Sequence, residues 1–583
     1  MPSELDLQVD IYKNFAEYFN DPQIPQLKYY ITNTLKGLKD GHICTLVKDE
    51  DIDKIKQSTH VSHREPWDNK PFILMENRFY FQRYFSYETM VVQKVSRFLE
   101  CGKSSLDDEF EKLNHHKEVV EKLFSDDQKS DEPNWQNIAI LNSVLHRFSI
   151  ITGGPGTGKT TTVAKVLSLI FTIKSDSEVV LVAQTGKATI RLKESLLLAK
   201  QKLDIDEETK CLFDKILPST IHRLLGNQFD SVDFKHNKNK PLKYDTIIID
   251  EASMIDVPLM AKLLDAISDQ TKVILLGDKN QLASIEAGSV FADLCDASQM
   301  QNNLFPSHLI ECFNQYLNTK IPQTFIHEKL SELHIVITEL QKSFRFNDNE
   351  GIGLLSKNIL KGRILSPEEL NRDSNKNIQL KSSIDCIEFT QAVSLFESYI
   401  KSNDPLKCLD LFNKIKVLCA THNGPHGVIA INQLIENHLH SKNLIDHSIQ
   451  FYDKRPILIT QNDYHSNLYN GDTGICIKEK TGETNIYFKD ENNESGVRAL
   501  SPHSLGKHNT VYAMTIHKSQ GSEFDQVVVV LPTKHSSEHL SRELIYTAVT
   551  RAKNEVLLIG DSDTFKRGVS NKVTRASGIS NRF

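Results

Sequence analysis

Short apolar runs alternate with stretches of helical periodicity between about residues 134 and 335. Four of these runs predict buried strands, at residues 148–151, 179–183, 246–249 and 273–276. The first run leads through a glycine-rich turn into residues 161–171, which have the periodicity of a helix. This alternation is typical of a parallel α/β sheet. Each run ends in polar sequence, and ligands bind at the carboxyl ends of strands in open parallel sheets. The pattern therefore predicts a ligand site at that edge.

A second α/β unit is predicted from about residue 336 to the end. Its strands are expected at residues 417–420, 527–531 and 556–559. Between about residues 446 and 510 the pattern changes to short alternating strands separated by turn signals such as Asn470-Gly471-Asp472. This change predicts a small β-barrel inserted into the second unit. The tail after Asp561 contains several basic residues and is expected to be partly disordered.

Residues 1–130 carry no recognisable chemical motif. Residues 77–88 are rich in aromatic and basic side chains and lead into an amphipathic run that ends at Leu99. Aromatic rings stack on bases, which would make this stretch a nucleic-acid platform. Its periodicity favours the other interpretation, the core and partner-binding face of a helical domain. The charged and polar residues 107–133 predict a connection between domains.

A chain of 583 residues is too long for one hydrophobic core, so three or four domains are expected. The predicted division is a mainly helical, partner-binding domain at 1–130, a first α/β domain at 131–335, and a second at 336–583 with the insertion at about 446–510. The formal net charge of -7 requires any nucleic-acid site to be a local channel. The nine cysteines include no Cys-x-x-Cys pair, which favours a reducing cytoplasm over a zinc site or disulfide framework. The sequence predicts no signal peptide and no membrane span.

The glycine-rich turn matches the G-x-x-x-x-G-K-[ST] pattern of a phosphate-binding loop. Glycines allow backbone N–H groups to surround phosphate oxygens, and the helix N-terminus adds partial positive charge. The expected nucleotide-binding residues are Gly153, Gly154, Pro155, Gly156, Thr157, Gly158, Lys159, Thr160 and Thr161. Lys159 would contact the β- and γ-phosphates of ATP, and the Thr160 hydroxyl would bind Mg²⁺. A chance match is disfavoured by the strand–turn–helix context.

Other candidate catalytic residues follow the later strands. Asp250 and Glu251 come directly after residues 246–249, where one carboxylate would hold Mg²⁺ and the other would orient or deprotonate the attacking water. Gln281 follows the next strand and would contact the γ-phosphate or that water. Arg345 and Arg551 would stabilise charge on the departing phosphate. Taken alone, the acid pair is usually solvated, the glutamine is an ordinary loop residue, and the arginines are equally compatible with surface ion pairs.

In order along the chain, these motifs resemble those of superfamily 1 DNA helicases of the RecD type, the α subunits of exodeoxyribonuclease V (RecBCD). The set comprises Gln136, 153–160, 185–188, 220–226, 250–253, 277–282, 343–346, 515–524 and 546–551. One departure is Gln184, where the family usually has proline. The resemblance implies two RecA-like P-loop NTPase domains in tandem, an SH3-like barrel in the second, and a strand-separating hairpin in the first.

The resemblance also implies individual roles. Gln136 would read the adenine edge. The residues that would line a groove for single-stranded DNA are Thr185, Lys187, His222, Thr515, His517 and Lys518. The implied activity is ATP- and Mg²⁺-dependent 5′→3′ translocation on single-stranded DNA by a cytoplasmic subunit that acts on duplex ends with RecB-like and RecC-like partners, in a heterotrimer for repair and recombination. Exonuclease activity would belong to that complex. The alternatives are a stand-alone RecD-like helicase and a regulatory subunit with little turnover.

Overall fold

In the computed structural model, the described residues are 4–65, 67–125, 132–228, 231, 233–297, 300–366, 369, 377–463, 466–490, 493–534 and 540–583. They form an N-terminal domain and two α/β units, each built on its own sheet, with a further sheet inserted in the second unit. Among these residues, no helix combines the length and the apolar character needed to cross a membrane.

The N-terminal domain contains a four-stranded sheet in the order β1-β4-β3-β2. Its strands are β1 (Cys44–Leu46), β2 (Val61–Ser62), β3 (Phe72–Met75) and β4 (Arg78–Phe81). Its first helices are Glu4–Tyr18, Pro25–Lys39 and Asp49–Ile55. The expectation of a mainly helical domain missed this sheet. Strands of two to four residues are too short for an alternating pattern to become visible in the sequence.

The aromatic and basic stretch at residues 77–88 divides between β4 and the start of the helix Gln82–Ser104. The side chains of Phe79 and Phe85 are buried. The ring of Phe79 stacks on that of Phe72, with 5.3 Å between the centroids. Because these rings are committed to a core, they are not available to stack on bases, and the structure favours the packing interpretation.

The helix Gln82–Ser104 joins the N-terminal domain to the first α/β unit. Phe98 on this helix lies parallel to Phe148 of the first sheet, 6.1 Å away between ring centroids. The next residues, predicted as a connection, instead form the helices Leu106–His115 and Lys117–Leu123. Their apolar residues, among them Leu113 and Val120, are buried in the core of the first unit. The prediction was wrong there because the charged residues that suggested a linker cover the outer face of packed helices. The rest of that stretch, 126–131, lies outside the described residues.

Six parallel strands form the first α/β sheet, in the order β10-β5-β9-β8-β6-β7. They are β5 (Phe148–Gly153), β6 (Val179–Ala183), β7 (Ser219–Thr220), β8 (Thr246–Asp250), β9 (Lys272–Gly277) and β10 (Ile337–Leu340). The accompanying helices are Trp135–Leu145, Lys159–Ile173, Gly186–Lys202, Glu207–Lys215, Ile221–Leu225, Val257–Asp265, Val290–Asp296, Ser307–Phe313 and Glu332–Ile335. All four predicted strands are confirmed. Because β10 pairs with β5, the first unit extends beyond the division placed at residue 335.

The strands of the rest of the chain are β11 (Ile378–Lys381), β12 (Ile415–Cys419), β13 (Pro456–Ile459), β14 (Thr473–Lys478), β15 (Thr484–Lys489), β16 (Val497–Leu500), β17 (His508–Thr510), β18 (Ala513–Thr515), β19 (Phe524–Val530) and β20 (Ala552–Ile559). The second parallel sheet has the order β11-β20-β19-β12-β18 and includes the three predicted strands. Its helices are Gly351–Leu360, Ile387–Ser394, Glu397–Ile400, Pro405–Phe412, Val428–Ser441, Arg542–Val549 and Ser562–Ser570.

The insertion is an antiparallel sheet in the order β16-β15-β14-β13-β17, within the predicted range 446–510. Its inward-facing side chains form a small separate core that includes Ile457, Leu468, Ile486 and Phe488. The alternation of apolar and polar residues along these strands places one set in this core, which is why the change of period was readable in the sequence.

The tail after Asp561 forms the helix Ser562–Ser570 and then returns to the N-terminal domain. The backbone N–H of Gly578 donates to the buried carboxylate of Glu88 at 2.8 Å. The guanidinium of Arg582 forms an ion pair with the same carboxylate at 3.4 Å. The expectation of partial disorder was wrong, because the basic residues that suggested a solvated tail bind carbonyl and carboxylate groups of other elements.

Candidate active site

The predicted phosphate-binding loop connects β5 to the helix Lys159–Ile173. Gly156 and Gly158 have φ angles of +76° and +82°, which favour glycine. The ammonium of Lys159 donates to the carbonyl oxygens of Gly153 at 2.6 Å and Gly154 at 3.1 Å. The lysine is therefore held at the loop, at the carboxyl end of β5, where the sequence predicted it.

Gln136 lies beside this loop. Its side-chain amide donates to the carbonyl oxygen of Thr157 at 2.8 Å. Asn134 caps the helix Trp135–Leu145 by accepting from the backbone N–H of Gln136 at 3.0 Å, which fixes the start of the helix that carries the glutamine. The structure thus brings Gln136 to the phosphate-binding loop, although the two are separated in the sequence by a helix and a strand.

Asp250 ends β8 and accepts the backbone N–H of Glu251 at 2.8 Å. Glu251 itself has a left-handed backbone, with φ of +51°, in a sharp turn out of the strand. Burial, helped by the neighbouring charge of Glu251, raises the pKa of Asp250 to about 6, and the charges of Lys159 and Arg191 act in the opposite direction. A divalent cation bound beside this carboxylate would stabilise its ionised form.

Gln281 links the two α/β units. Its carbonyl oxygen accepts from Nη2 of Arg551 at 2.9 Å, and its amide donates to Asp278 at 3.1 Å. The hydroxyl of Tyr546, close to Arg551 in the second unit, also donates to Asp278 at 3.1 Å. Arg551 is buried in this contact. Direct hydrogen bonds therefore join Gln281 and Asp278 of the first unit to Arg551 and Tyr546 of the second.

Arg345 lies beside the phosphate-binding loop because its own segment contacts that loop. The backbone N–H of Phe344 donates to the carbonyl oxygen of Gly156 at 2.8 Å, so the segment lies directly against the phosphate-binding loop. The guanidinium of Arg345 forms an ion pair with Glu523, which also binds Arg191. Burial would raise the pKa of Glu523, but the two arginines outweigh it and lower the pKa to about 2.

Sequence reasoning assigned no role to Asp278, Tyr546, Glu523 or Arg191. The first three lie inside motifs that the sequence displays, so their positions in those motifs were available as a signal. Arg191 has no such signal, because its importance comes from the packing of the helix Gly186–Lys202 against a loop more than three hundred residues away.

Four of the residues expected to contact DNA lie in two segments, one at the start of the helix Gly186–Lys202 and one at and directly after the end of β18. Thr185 caps its helix by accepting from the N–H of Ala188 at 3.2 Å, and Lys187 lies in the same turn. Thr515 accepts from the N–H of exposed Lys518 at 3.3 Å. These two segments adjoin, because a side chain at Gly521 would bring its Cβ within 3.7 Å of the Cβ of Ala188.

The two histidines lie in different surroundings. The ring of His222 packs edge-on against Phe234, with 5.8 Å between centroids. His517 lines a cavity of about 940 Å³ between the two units, together with Gln281 and Arg575.

The insertion packs against the first unit through its turn at residues 469–472. Arg223 of the first unit stacks over the ring of Tyr469 at 4.8 Å and donates to its hydroxyl. Burial lowers the pKa of Lys187 to about 8, and the nearby carboxylate of Asp472 partly opposes this effect. Lys187 is therefore half-buried where the insertion meets the first unit.

Comparison with known proteins agrees with this geometry. Residues 136–287 match the family model described as an AAA domain, and residues 510–559 match the UvrD-like helicase C-terminal domain. The RecBCD enzyme subunit RecD of Haemophilus influenzae is 33% identical over 554 residues, which are 87% of this chain and 80% of that protein. The chain belongs to the RecD family. The RecD subunit of Buchnera aphidicola subsp. Acyrthosiphon pisum is 34% identical over 78% of this chain and 76% of its own.

Membership of the RecD family makes the chain an ATP-dependent DNA helicase, which confirms the predicted enzyme class. The ATP-dependent RecD2 DNA helicase of Deinococcus radiodurans is 28% identical, over 72% of this chain and 48% of that protein. A crystal structure of Bacteroides Pif1 bound to single-stranded DNA covers 74% of this chain and 92% of that one, with a TM-score of 0.39 and 17% identity. That likeness is too distant to assign any residue.

Proposed function

We propose that this chain uses ATP hydrolysis between its two α/β units to translocate 5′→3′ along single-stranded DNA, as a motor subunit of a RecBCD-type complex. The observation that supports the motor most directly is the hydrogen bond from Arg551 of the second unit to Gln281 of the first, at 2.9 Å. ATP bound at the loop would draw both units together through such contacts, and hydrolysis would release them.

The roles at the nucleotide follow from the placement of each group. The loop from Gly153 to Thr161 would bind the phosphates, and Gln136 would meet the base. Lys159, Arg345 and Arg551 would neutralise the charge that develops on the transferred phosphoryl group. Glu251, in its turn after β8, would orient the attacking water, and Gln281 would sense whether the γ-phosphate is present.

A magnesium ion fits the donor set here. Asp250 offers a buried carboxylate whose ionised form is disfavoured until a cation arrives, and Thr160 offers a hydroxyl at the helix N-terminus. When bound, Mg²⁺ would neutralise phosphate charge and act as a Lewis acid. Titration of the purified chain with Mg²⁺ in the presence of a non-hydrolysable nucleotide, followed by calorimetry, would test this assignment.

The DNA groove would run over Thr185 and Lys187 of the first unit and Thr515 and Lys518 of the second. Helix N-termini, hydroxyl groups and lysines bind phosphates without reading sequence, as a motor requires. His222 and His517 would border the path. The antiparallel insertion, which we assign as the SH3-like barrel of the family, would close the groove through Tyr469.

The catalytic assignment is tested by Arg551→Lys, which keeps a positive charge but loses the planar group of donors. ATP hydrolysis should fall by about 10³-fold because a transition-state contact is lost, whereas nucleotide affinity should change by less than about threefold. Arg567→Lys, at an exposed position of the same unit, is the matched control. Wild-type turnover in the Arg551 variant would exclude this arginine from the site.

The partnership with RecB-like and RecC-like subunits is supported by higher identity over more of both chains for the RecD subunits than for RecD2. The alternatives are a stand-alone helicase and a regulatory subunit with little turnover. Purification of the tagged chain from its native cytoplasm, with mass spectrometry of the bound proteins, separates them. Two large co-purifying subunits, with exonuclease activity only in the complex, are expected. A solitary, active chain would favour the stand-alone alternative.

A further inference from the structure

The loop Gly521–Phe524 receives three arginines from three different parts of the chain. Arg191 donates to the carbonyl oxygen of Gly521 at 3.1 Å, and Arg551 donates to that of Ser522 at 3.2 Å. Glu523 forms ion pairs with both Arg191 and Arg345. The loop follows Thr515 and Lys518 directly, so one short segment joins the proposed DNA groove to the proposed ATP site.

A single carboxylate shared by two guanidinium groups leaves unneutralised positive charge beside the phosphate-binding loop. Among the described residues, Nη1 of Arg345 is buried and has no hydrogen-bond partner. An unsatisfied buried donor is costly, and a phosphate oxygen would satisfy it. Arg345 is therefore held by Glu523 in a position from which it can transfer to a nucleotide.

Transfer of Arg345 from Glu523 to a phosphate would leave the half-buried carboxylate without a counter-charge unless another cation remained. Arg191 is that cation. It lies on the helix Gly186–Lys202, one turn after Lys187, so the two side chains share a face of the helix. Ala188 on the same helix packs against the loop at Gly521. A displacement of the helix N-terminus would therefore move Arg191 relative to Glu523.

We propose that Arg191 is a positioning residue that couples the binding of single-stranded DNA at the start of its helix to the release of Arg345 from Glu523. The proposal rests on the ATP and DNA sites assigned above. With DNA in the groove, Arg191 alone neutralises Glu523, and Arg345 is free for the γ-phosphate. Without Arg191, Glu523 retains Arg345 and DNA no longer accelerates hydrolysis.

The test uses Arg191→Met, which removes the charge and keeps the apolar stem, and Arg191→Gln serves if the first variant does not purify. The ratio of ATP turnover with and without poly(dT) should fall by at least about tenfold, while the affinity for poly(dT) changes by less than about threefold. Lys193→Met removes an exposed charge from the same helix and should leave the ratio unchanged. An unchanged ratio in the Arg191 variant would overturn the proposal.

A second variant distinguishes coupling from a structural role. Glu523→Gln in the Arg191→Met background should raise ATP turnover without poly(dT) to within about threefold of the poly(dT)-stimulated wild-type rate, because a neutral amide no longer retains Arg345. Turnover without poly(dT) that stays low in the double variant would show that the ion pairs only maintain the fold, and would overturn the proposal. If poly(dT) does not stimulate the wild-type chain, either alone or with its proposed partners, the proposed function fails instead, before any variant is compared.

Discussion

At the scale of single residues, charge at the nucleotide site is balanced across elements that are distant in sequence. Lys159 is held by carbonyl groups of its own loop, while Asp250 is buried nearby with a pKa raised to about 6. Neither charge has an optimal partner in the protein alone. Such incomplete pairing is typical of a site whose missing partners are the phosphates and metal ion of a ligand.

Lys159→Gln should abolish ATP hydrolysis and leave the fold intact. The change removes the charge that contacts the phosphates, but the lysine makes hydrogen bonds only to its own loop and supports no core residue. Turnover should fall by at least about 10²-fold. A coupled assay measures turnover and circular dichroism monitors the fold. Lys202→Gln, at an exposed position of the same unit, is the control, and wild-type turnover by the Lys159 variant would contradict the assignment of the loop.

A second residue-scale prediction concerns acid stability. Burial lowers the pKa of His146 to about 4, from 6.5 in the unfolded chain. Between these values the unfolded state binds the proton and the folded state does not, so stability is lost as the pH falls through this window. At about 1.4 kcal/mol per pKa unit, the loss reaches roughly 3 kcal/mol.

His146→Gln should therefore flatten the pH dependence of the unfolding free energy between the two pKa values, measured by urea titration. The amide of glutamine can still donate to the carbonyl oxygen of Asn142, which His146 contacts at 3.1 Å. His503→Gln, at an exposed position, should leave the dependence as in wild type. If the unfolding free energy of the His146→Gln variant falls with pH as steeply as that of wild type, groups other than His146 cause the loss of stability in acid.

At the scale of elements, a strand or helix could be predicted when its apolar run was long enough and was bounded by polar loop residues. The strands β5, β6, β8 and β9 were readable because each is a continuous apolar run followed by polar loop residues. β1 to β4 were not, since each has at most four residues. The helices Leu106–His115 and Lys117–Leu123 were missed because charge on their outer faces hid the few apolar residues, such as Leu113, that the core buries.

The same distinction applies to the site. Lys159, Asp250 and Gln281 follow strands in recognisable motifs, so sequence alone predicted that they would meet. Arg191 was invisible because nothing local marks a helix residue that contacts Glu523. The C-terminal tail was misjudged for a related reason: its composition resembles a solvated segment, and only tertiary contacts order it.

The C-terminal segment after Ser570 stabilises the junction of the N-terminal domain with the first unit. The guanidinium of Arg575 donates to the carbonyl oxygens of Ser284, Glu286 and Gly288, at 2.6, 3.2 and 2.7 Å. The next residue, Ala576, exchanges hydrogen bonds with His42 and Ile43. One short segment therefore connects three parts of the molecule.

Arg575→Ala should lower the free energy of unfolding by about 1–3 kcal/mol, because it leaves charge-assisted hydrogen bonds unmade. Hydrogen exchange at Ile43 and Gly578 should accelerate as the segment detaches. Lys572→Ala, which removes an exposed charge from the same segment, should have little effect. Unchanged exchange at both amides would contradict a role for Arg575 in holding this segment.

At the scale of the whole molecule, the proposed nucleotide site and the proposed DNA groove are each built from residues of both α/β units. The phosphate-binding loop belongs to the first unit and Arg551 to the second. Thr185 likewise belongs to the first unit and Thr515 to the second. In the proposed motor, a change in the distance between the units alters both sites at once, and this links the chemical cycle to movement along DNA. In this motor, closure of the two units driven by ATP would move the chain along DNA in one direction.

The most direct test is ATP-dependent strand separation by the purified chain, alone and with its proposed partners, on duplexes that carry only a 5′ or only a 3′ single-stranded tail. Unwinding confined to the 5′-tailed duplex, and absent in the Lys159→Gln chain, is the predicted result. Activity that appears only when partners are added would place the same motor under the control of the complex. Unwinding from the 3′ tail by the chain alone would contradict the account.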